Sequence, residues 1–316
     1  MISAVGKHKK KSIKNYNLQL KYSQHFIGFL INNRLLDWIV AEGRTIHFLG
    51  DIYGLGQEIL QKLILSQALT SVVKEHYQSV TTKLSTELTF VDNIPHIFEE
   101  CSISKQDVIL YFDFNNTEFD PASLLKYSCH SIVISNNTNV LNVGPCEAKL
   151  IVIHDMIHYT NLGEHNITLD KLYEKCLDNR AGGAINMNDK HWWVSQQDVA
   201  SSVISLVGDV TDLPLIMHLS GRRGWTLEET YQQLQMLYDR TIAGLTGHFD
   251  AQHLESRPVI GQLPQPVNKI EQSTRPDLSA LDATLQAIDG QRWRPLVPLR
   301  TSLMHYLASK GLSQSV

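Results

Sequence analysis

The feature that most constrains this chain is a glycine-punctuated turn between a short apolar strand and an amphipathic helix. Thr45-Ile46-His47-Phe48-Leu49 reads as a strand. Gly50-Asp51-Ile52-Tyr53-Gly54-Leu55-Gly56 comes next, and Ile59, Leu60, Leu63, Ile64 and Leu65 then recur at helical spacing. The first glycine lets the chain turn sharply after the strand. The later ones let backbone N–H groups and the helix N-terminus approach a pyrophosphate with no Cβ atom between them. A glycine triplet alone is a weak signal, and its place after a first strand and before a helix gives it weight. Gly50, Asp51, Ile52, Tyr53, Gly54, Leu55 and Gly56 are therefore all candidate cofactor contacts.

The strand–helix alternation continues past this turn. Ser71-Val72-Val73 and Leu88-Thr89-Phe90-Val91 read as second and third strands. Val108-Ile109-Leu110-Tyr111-Phe112 reads as a fourth, and its unbroken apolar run suits a parallel strand covered on both faces. A helical stretch around Leu124 and Leu125 leads to a fifth strand at Ser131–Ser135, and Leu150–Ile153 is a sixth. Strands alternating with helices imply βαβ crossovers, so the expected class is α/β, a Rossmann-like doubly wound parallel sheet. Later segments read as helices at Leu169–Leu177, Asp198–Val207, Thr226–Leu237, Leu278–Ile288 and Thr301–Leu307, with a strand at Leu215–Leu219. The expected organisation is an N-terminal extension over 1–43, basic and then helical, and a Rossmann-like domain over 44–316. A small C-terminal α/β lobe of substrate type is expected from about 165–195 and 215–316. Residues 256–276, with Pro258, Pro264, Pro266 and Pro276, read as a surface connection.

The order of these landmarks resembles the short-chain dehydrogenase/reductase superfamily, in its extended branch of NAD-dependent epimerases and dehydratases. Gly50-x-x-x-Gly54-x-Gly56 resembles the family's cofactor loop, with Leu49 in place of the usual threonine. Val91-Asp92-Asn93-Ile94 is similar to its aspartate-containing segment after strand three, and that resemblance makes Asp92 and Asn93 candidate adenine contacts. Asp107–Phe112 resembles its fourth strand, with Asp113-Phe114 where small residues flank the nicotinamide ribose, so Asp113 joins the candidates. Ser135-Asn136-Asn137-Thr138 is similar to the end of its fifth strand. Trp193–Ala200, Ile216–Gly221, Arg275-Pro276-Asp277 and Trp293-Arg294-Pro295 resemble its later motifs in order. The resemblance covers residues 44–308 and implies NAD or NADP as cofactor, with retention of the cofactor left open. Members of the branch are often dimers, so a homodimer is among the expectations.

The family's chemistry needs a tyrosine that moves a proton and a lysine four residues later that lowers its pKa. This pair belongs one helix after strand five. Here only Thr138 to Ala148 stands before strand six, too little for a full crossover helix. The chain's one Tyr-x-x-x-Lys, Tyr306 to Lys310, lies beyond the last landmark and reads as coincidence. Gln197 replaces the first aspartate of the usual pair, and Lys190-His191-Trp192-Trp193 stands where an arginine often serves a sugar-nucleotide phosphate. No standard catalytic residue is assigned. His154 and His158, four apart after strand six, could share a metal on a helix, but they begin at a strand end without a third ligand, so no metal site is assigned either. Trp192-Trp193 reads as a core or interface pair. There is no G-x-S-x-G elbow and no G-x-x-x-x-G-K-[ST] loop, which argues against an α/β hydrolase and a P-loop NTPase.

Net charge is only −4, which offers no general attraction for nucleic acid. The lysines at 7, 9, 10, 11 and 14 suit an acidic partner or, more simply, a solvated tail. Cys101, Cys129, Cys146 and Cys176 form no C-x-x-C pair and read as reduced thiols of a cytoplasmic protein. No apolar run is long enough to span a membrane, and the N-terminus lacks the apolar core of a signal peptide. The reading that results is an atypical member of the superfamily that binds a nucleotide or metabolite without Tyr-Lys chemistry. One alternative is an NAD(P)-dependent epimerase, dehydratase or reductase whose proton donor comes from Thr138, Tyr159 or His158. Another is an assembly protein that binds a protein partner and keeps a relic loop, with its pocket filled by Tyr53, Asp113 or Phe114.

Overall fold

The computed structural model describes residues 43–114, 121–137, 148–159, 166–178, 185–254 and 275–311. The basic stretch, the helix expected within 1–42, Thr138, Cys146, His165 and most of the proline-rich connection fall outside them.

A strand whose two faces are both covered must be apolar throughout, and four strands have that character. β1 (Thr45–Gly50), β4 (Val108–Asp113), β5 (His130–Ser135) and β6 (Lys149–Ile153) carry consecutive buried Ile, Val, Leu and Phe side chains. With β2 (Leu69–Val72), β3 (His96–Ile97) and β10 (Ile216–Leu219) they form one parallel sheet in the order β10-β6-β5-β4-β1-β2-β3. The chain runs outward from β1 to β3, returns to β4 beside β1, and runs outward again. This is the doubly wound Rossmann order, with its switch point between β1 and β4.

One face of the sheet, through Phe48, Leu110, Phe112, Ile134 and Ile153, packs in the main core with α1 (Leu55–Leu65), α4 (Gln196–Gly208) and α6 (Ser279–Asp289). Helix α1 turns Ile59, Leu60, Leu63 and Ile64 toward it, each contributing roughly 1.5–3 kcal/mol by burial. On the other face, Leu49, Ile109, Val133, Leu150 and Val152 form a separate cluster with Leu124. The helical stretch expected around Leu124 is a single 3₁₀ segment, Pro121–Lys126.

A second core gathers Ile157, Leu169, Leu172, Leu234, Leu237, Leu303 and Tyr306. It is built from α3 (Ile167–Leu177), α5 (Leu227–Leu245) and α7 (Leu299–Ser309). The short pairs β7 (Met156–Ile157) with β9 (Val194–Ser195), and β8 (Lys190–His191) with β11 (Trp225–Thr226), tie it to the sheet. Helix α5 starts with a capping box between Thr226 and Glu229. Asp198, in the first turn of α4, accepts from Ser195 Oγ (2.9 Å) and from the N–H groups of Leu296 and Val297 (2.9 and 3.0 Å), which fixes the approach to α7.

The third strand is where sequence and structure part. Glu87–Phe90 is a 3₁₀ turn, not a strand, and Thr89 Oγ1 bonds back to the Thr86 carbonyl at 2.6 Å. Leu88 and Val91 reach the core from this turn, so their apolar signal is real while its strand reading is not. The third strand is the two-residue His96–Ile97 on the sheet's edge, both residues exposed.

Beneath β2 and β4 lies a buried polar relay. His47 Nδ1 meets Ser71 Oγ at 2.6 Å, and His47 Nε2 meets Asp107 Oδ2 at 3.2 Å. Asp107 also accepts from the N–H groups of Thr45 and Ser104. An ionised Asp107 accepts from the N–H at Nε2, so Nδ1 accepts the Ser71 hydroxyl. Ser71 is enclosed, which makes the relay structural despite its Ser-His-Asp composition.

Candidate nucleotide site

The turn after β1 is shaped by its glycines. Gly50 has φ +76°, and a Cβ there would lie 2.3 Å from the Phe112 carbonyl oxygen of the adjacent strand. Asp51 N donates to that same oxygen at 3.0 Å, so the turn is held against β4 at the switch point. Gly54, with φ 65° and ψ −105°, is the N-cap of α1. A Cβ on Gly56 would come within 3.1 Å of Ile52 and 3.4 Å of the Phe112 ring, so its absence lets α1 sit close to the sheet. No side chain caps α1. Asp51 Oδ1 accepts from Tyr53 N at 3.3 Å, and Ile52 and Leu55 are core residues.

Beside this turn a cavity of about 420 Å³ opens over the carboxyl ends of β1, β2 and β4. Leu49, Gly50 and Tyr111 form part of its wall, Val73, Lys74 and Glu75 close it beyond β2, and Phe98, Lys126 and Tyr127 complete the rim. Phe98 and Tyr127 meet edge to face with centroids 6.1 Å apart. Lys126 Nζ pairs with Glu100 at 2.6 Å and sits 4.8 Å over the Tyr127 ring. Sequence reasoning missed Phe98, Tyr111, Lys126 and Tyr127. Phe98 was hidden by the misplaced third strand, and Tyr111 carried one signal, an aromatic with a polar tip in an otherwise aliphatic strand.

The remaining expected residues do not all come together. Asp113, at the end of β4 and 6% exposed, keeps Oδ1 without a hydrogen-bond partner among the described residues, and burial raises its pKa. Asp92 and Asn93 are a correction. They precede β3 rather than follow it, and they brace the α1–β2 turn at the amino end of the sheet. Asn93 Nδ2 donates to the Gln67 carbonyl at 2.6 Å and Asp92 N to Gln67 Oε1 at 3.2 Å, so neither faces the glycine turn. Tyr53 stacks edgewise on His76, centroids 4.9 Å apart, and Phe114 lies in the core against Phe112, 6.5 Å between centroids. Neither residue lines the 420 Å³ cavity, and nor does Asp113.

Among the suspected proton donors, Tyr159 is half-buried, lies edge-on to His305, and has its phenol pKa raised by burial. A tyrosine proton donor of the dehydrogenase kind needs the opposite shift. His158 is buried, with its backbone tied to Asn166. Tyr306 is 1% exposed in the second core and donates to Asp170 Oδ1 at 2.6 Å, while Lys310 pairs with that same oxygen at 2.7 Å. This Tyr-Lys pair is a structural lock away from the glycine turn. Trp192 is buried and Trp193 stacks on His191, centroids 4.7 Å apart.

No protein-family model and no curated protein matches the chain. Solved structures do. The terminal R domain of the myxalamid PKS-NRPS pathway is 12% identical at a TM-score of 0.51, covering 86% of this chain and 92% of that one. The Bordetella bronchiseptica enzyme WbmF, solved with NADH, is 12% identical at 0.49 over 86% and 93% of the two chains. UDP-glucose 4-epimerase from Thermotoga maritima, solved with UDP-glucose, is 12% identical at 0.45 over 86% and 100%. At these identities the likeness is one of fold, and the Rossmann-like architecture expected from the sequence is the one observed.

Proposed function

We propose that the chain is an atypical Rossmann protein of the short-chain dehydrogenase/reductase type. In this reading it binds an adenine dinucleotide without the family's tyrosine–lysine chemistry. The observation that carries this reading is the cavity at the β1/β4 switch point with Gly50 in its wall. Ligands of open α/β sheets bind at that crevice. The aromatic edges of Phe98, Tyr111 and Tyr127 suit a base, and Glu75, exposed at the start of α2 (Lys74–Lys83), suits ribose hydroxyls. The uncapped start of α1 at Gly54 suits a pyrophosphate. A nicotinamide dinucleotide bound there supplies hydride chemistry. This chain's residues would bind and orient it.

The reactive end differs. The β5–β6 connection, residues 136–148, contains neither tyrosine nor lysine. Phe114 brings a bulky core ring to the end of β4, and the phenol of Tyr159 is shifted the wrong way for a proton donor. Calorimetric titration with NAD(H) and NADP(H), with Gly54→Asp as the control, tests the reading. Saturable binding lost in the variant supports it. No heat up to millimolar nucleotide means the loop is a relic and redirects attention to a protein partner.

A further inference from the structure

A second cavity, of about 820 Å³, runs between α1 and α4 on the sides these helices turn from the main core. Gln57, Gln61 and Leu65 of α1 and Gln197, Ser201 and Ser205 of α4 recur every four residues, so each helix gives the cavity one continuous stripe. Leu84 and Glu87, which follow α2, wall the α1 side. Trp293 and Leu296, from the connection between α6 and α7, wall the α4 side. The volume is that of a small-molecule site. Gly54 stands at one end, yet this cavity and the one at the switch point share no lining residue.

Its floor is charged and internally matched. Lys62 Nζ donates to Ser201 Oγ at 2.9 Å and to the Gln197 carbonyl at 3.3 Å, and it lies 3.7 Å from Glu58. Glu58 also accepts from Gln196 Nε2 at 2.7 Å. The other carboxylates of the lining have donors too. Glu87 accepts from Gln61 Nε2 at 2.7 Å, Asp289 from Gln291 N at 2.8 Å, and Asp198 from the N–H groups of Leu296 and Val297. The outer cations are matched less well. Lys83 and Arg292 donate only to the neutral amide oxygens of Gln57 and Gln286, at 3.0 and 3.2 Å. Arg294 is exposed and makes no hydrogen bond or ion pair among the described residues.

We propose that this groove binds a small organic anion, an acidic group carried on an apolar body. Three cations without a carboxylate partner line it, and the two arginines present planar forks suited to an acidic group. Gln57 supplies a further, independent observation. Its Nε2 is buried in the lining and has no acceptor among the described residues, so a ligand oxygen would satisfy it. The apolar body has its own wall in Leu65, Leu84, Leu285 and Leu296. Leu296 is 61% exposed there, which a seated ligand would cover. The site is independent of nucleotide binding, because no group in this argument belongs to the switch-point cavity.

The test is a fluorescence titration of the full chain with anilinonaphthalene sulfonate, beside phenylnaphthylamine, the same aromatic body without the acidic group. One saturable site is expected, with the sulfonate bound about 10-fold tighter than the amine. Arg292→Gln combined with Arg294→Gln is expected to weaken the sulfonate about 5-fold and leave the amine unchanged. Gln57→Glu nearly keeps the side-chain shape and the Lys83 contact, and it places a like charge where the donor stood. It is expected to weaken the sulfonate about 10-fold or more. Tyr127→Ala, in the switch-point cavity, is expected to change neither probe, which separates this site from the nucleotide reading. Equal affinity for the two probes, no saturable site, or sulfonate binding lost in Tyr127→Ala would overturn the proposal. So would sulfonate affinity that neither the arginine pair nor Gln57→Glu moves.

Discussion

Replacing Gly50 by alanine isolates the energetic demand of the turn, because a matched control exists in the same chain. Gly50 and Gly290, the C-cap of α6, have nearly equal φ angles, +76° and +78°. Forcing a Cβ into that region costs about 1–2 kcal/mol at either site. At Gly290 nothing lies within 4 Å of the new atom, so the cost stops there. At Gly50 the atom meets the Phe112 carbonyl oxygen at 2.3 Å, and Phe112 belongs to a central strand that cannot retreat. Relief requires moving the turn off β4. That adds about 1–3 kcal/mol of overpacking and about 1 kcal/mol for the Asp51 N–H bond to the same oxygen. Gly50→Ala should therefore lose about 3–6 kcal/mol and Gly290→Ala about 1–2. Urea unfolding monitored by tryptophan fluorescence reads both. Equal losses within about 0.5 kcal/mol would refute the claim that the turn is clamped against Phe112.

The same geometry sets three further outcomes. Burial, opposed by Asp107, lowers the pKa of His47 from its ordinary 6.5, and His154 is shifted in the same direction. The unfolded chain takes up these protons first, so stability is full above pH 6.5 and falls as pH drops below it. A urea midpoint that does not decline from pH 7 to 5, or a decline that His47→Gln leaves unaltered, would count against this. Burial pushes the thiols of Cys129 and Cys176 up to about 11 and about 12, while Cys101 is exposed. Alkylation at pH 8 with peptide mass spectrometry should therefore label Cys101 well before either of the others. Tyr306→Phe should cost about 1 kcal/mol and leave nucleotide affinity unchanged, since Asp170 keeps Lys310. A loss of binding there would reopen a catalytic role for that pair.

The sheet was legible because strands covered on both faces must be apolar throughout. β1, β4, β5 and β6 therefore announced themselves, and the glycine turn fixed where the winding begins. β3 was not legible, since a two-residue exposed edge strand carries no periodicity while the neighbouring 3₁₀ turn inserts Leu88 into the core. That displacement carried Asp92 and Asn93 to the wrong end of the sheet. Of the residues expected at the site, Gly50 lines the switch-point cavity and Asp113 does not. The aromatic rim did not show, because Tyr127 and Phe98 come from connections whose path depends on tertiary packing. The hydrogen bond between His154 and His218, 2.9 Å, was illegible for the same reason, since the register of β6 and β10 brings the two rings together.

Nucleotide binding at the switch point is tested most directly by hydrogen–deuterium exchange of the full chain with and without saturating NAD(H). Slowed exchange is expected in peptides spanning 50–57, 73–76 and 98–100, with no change at 92–93. Protection confined to other segments, or none under conditions where nucleotide is bound, would contradict that placement.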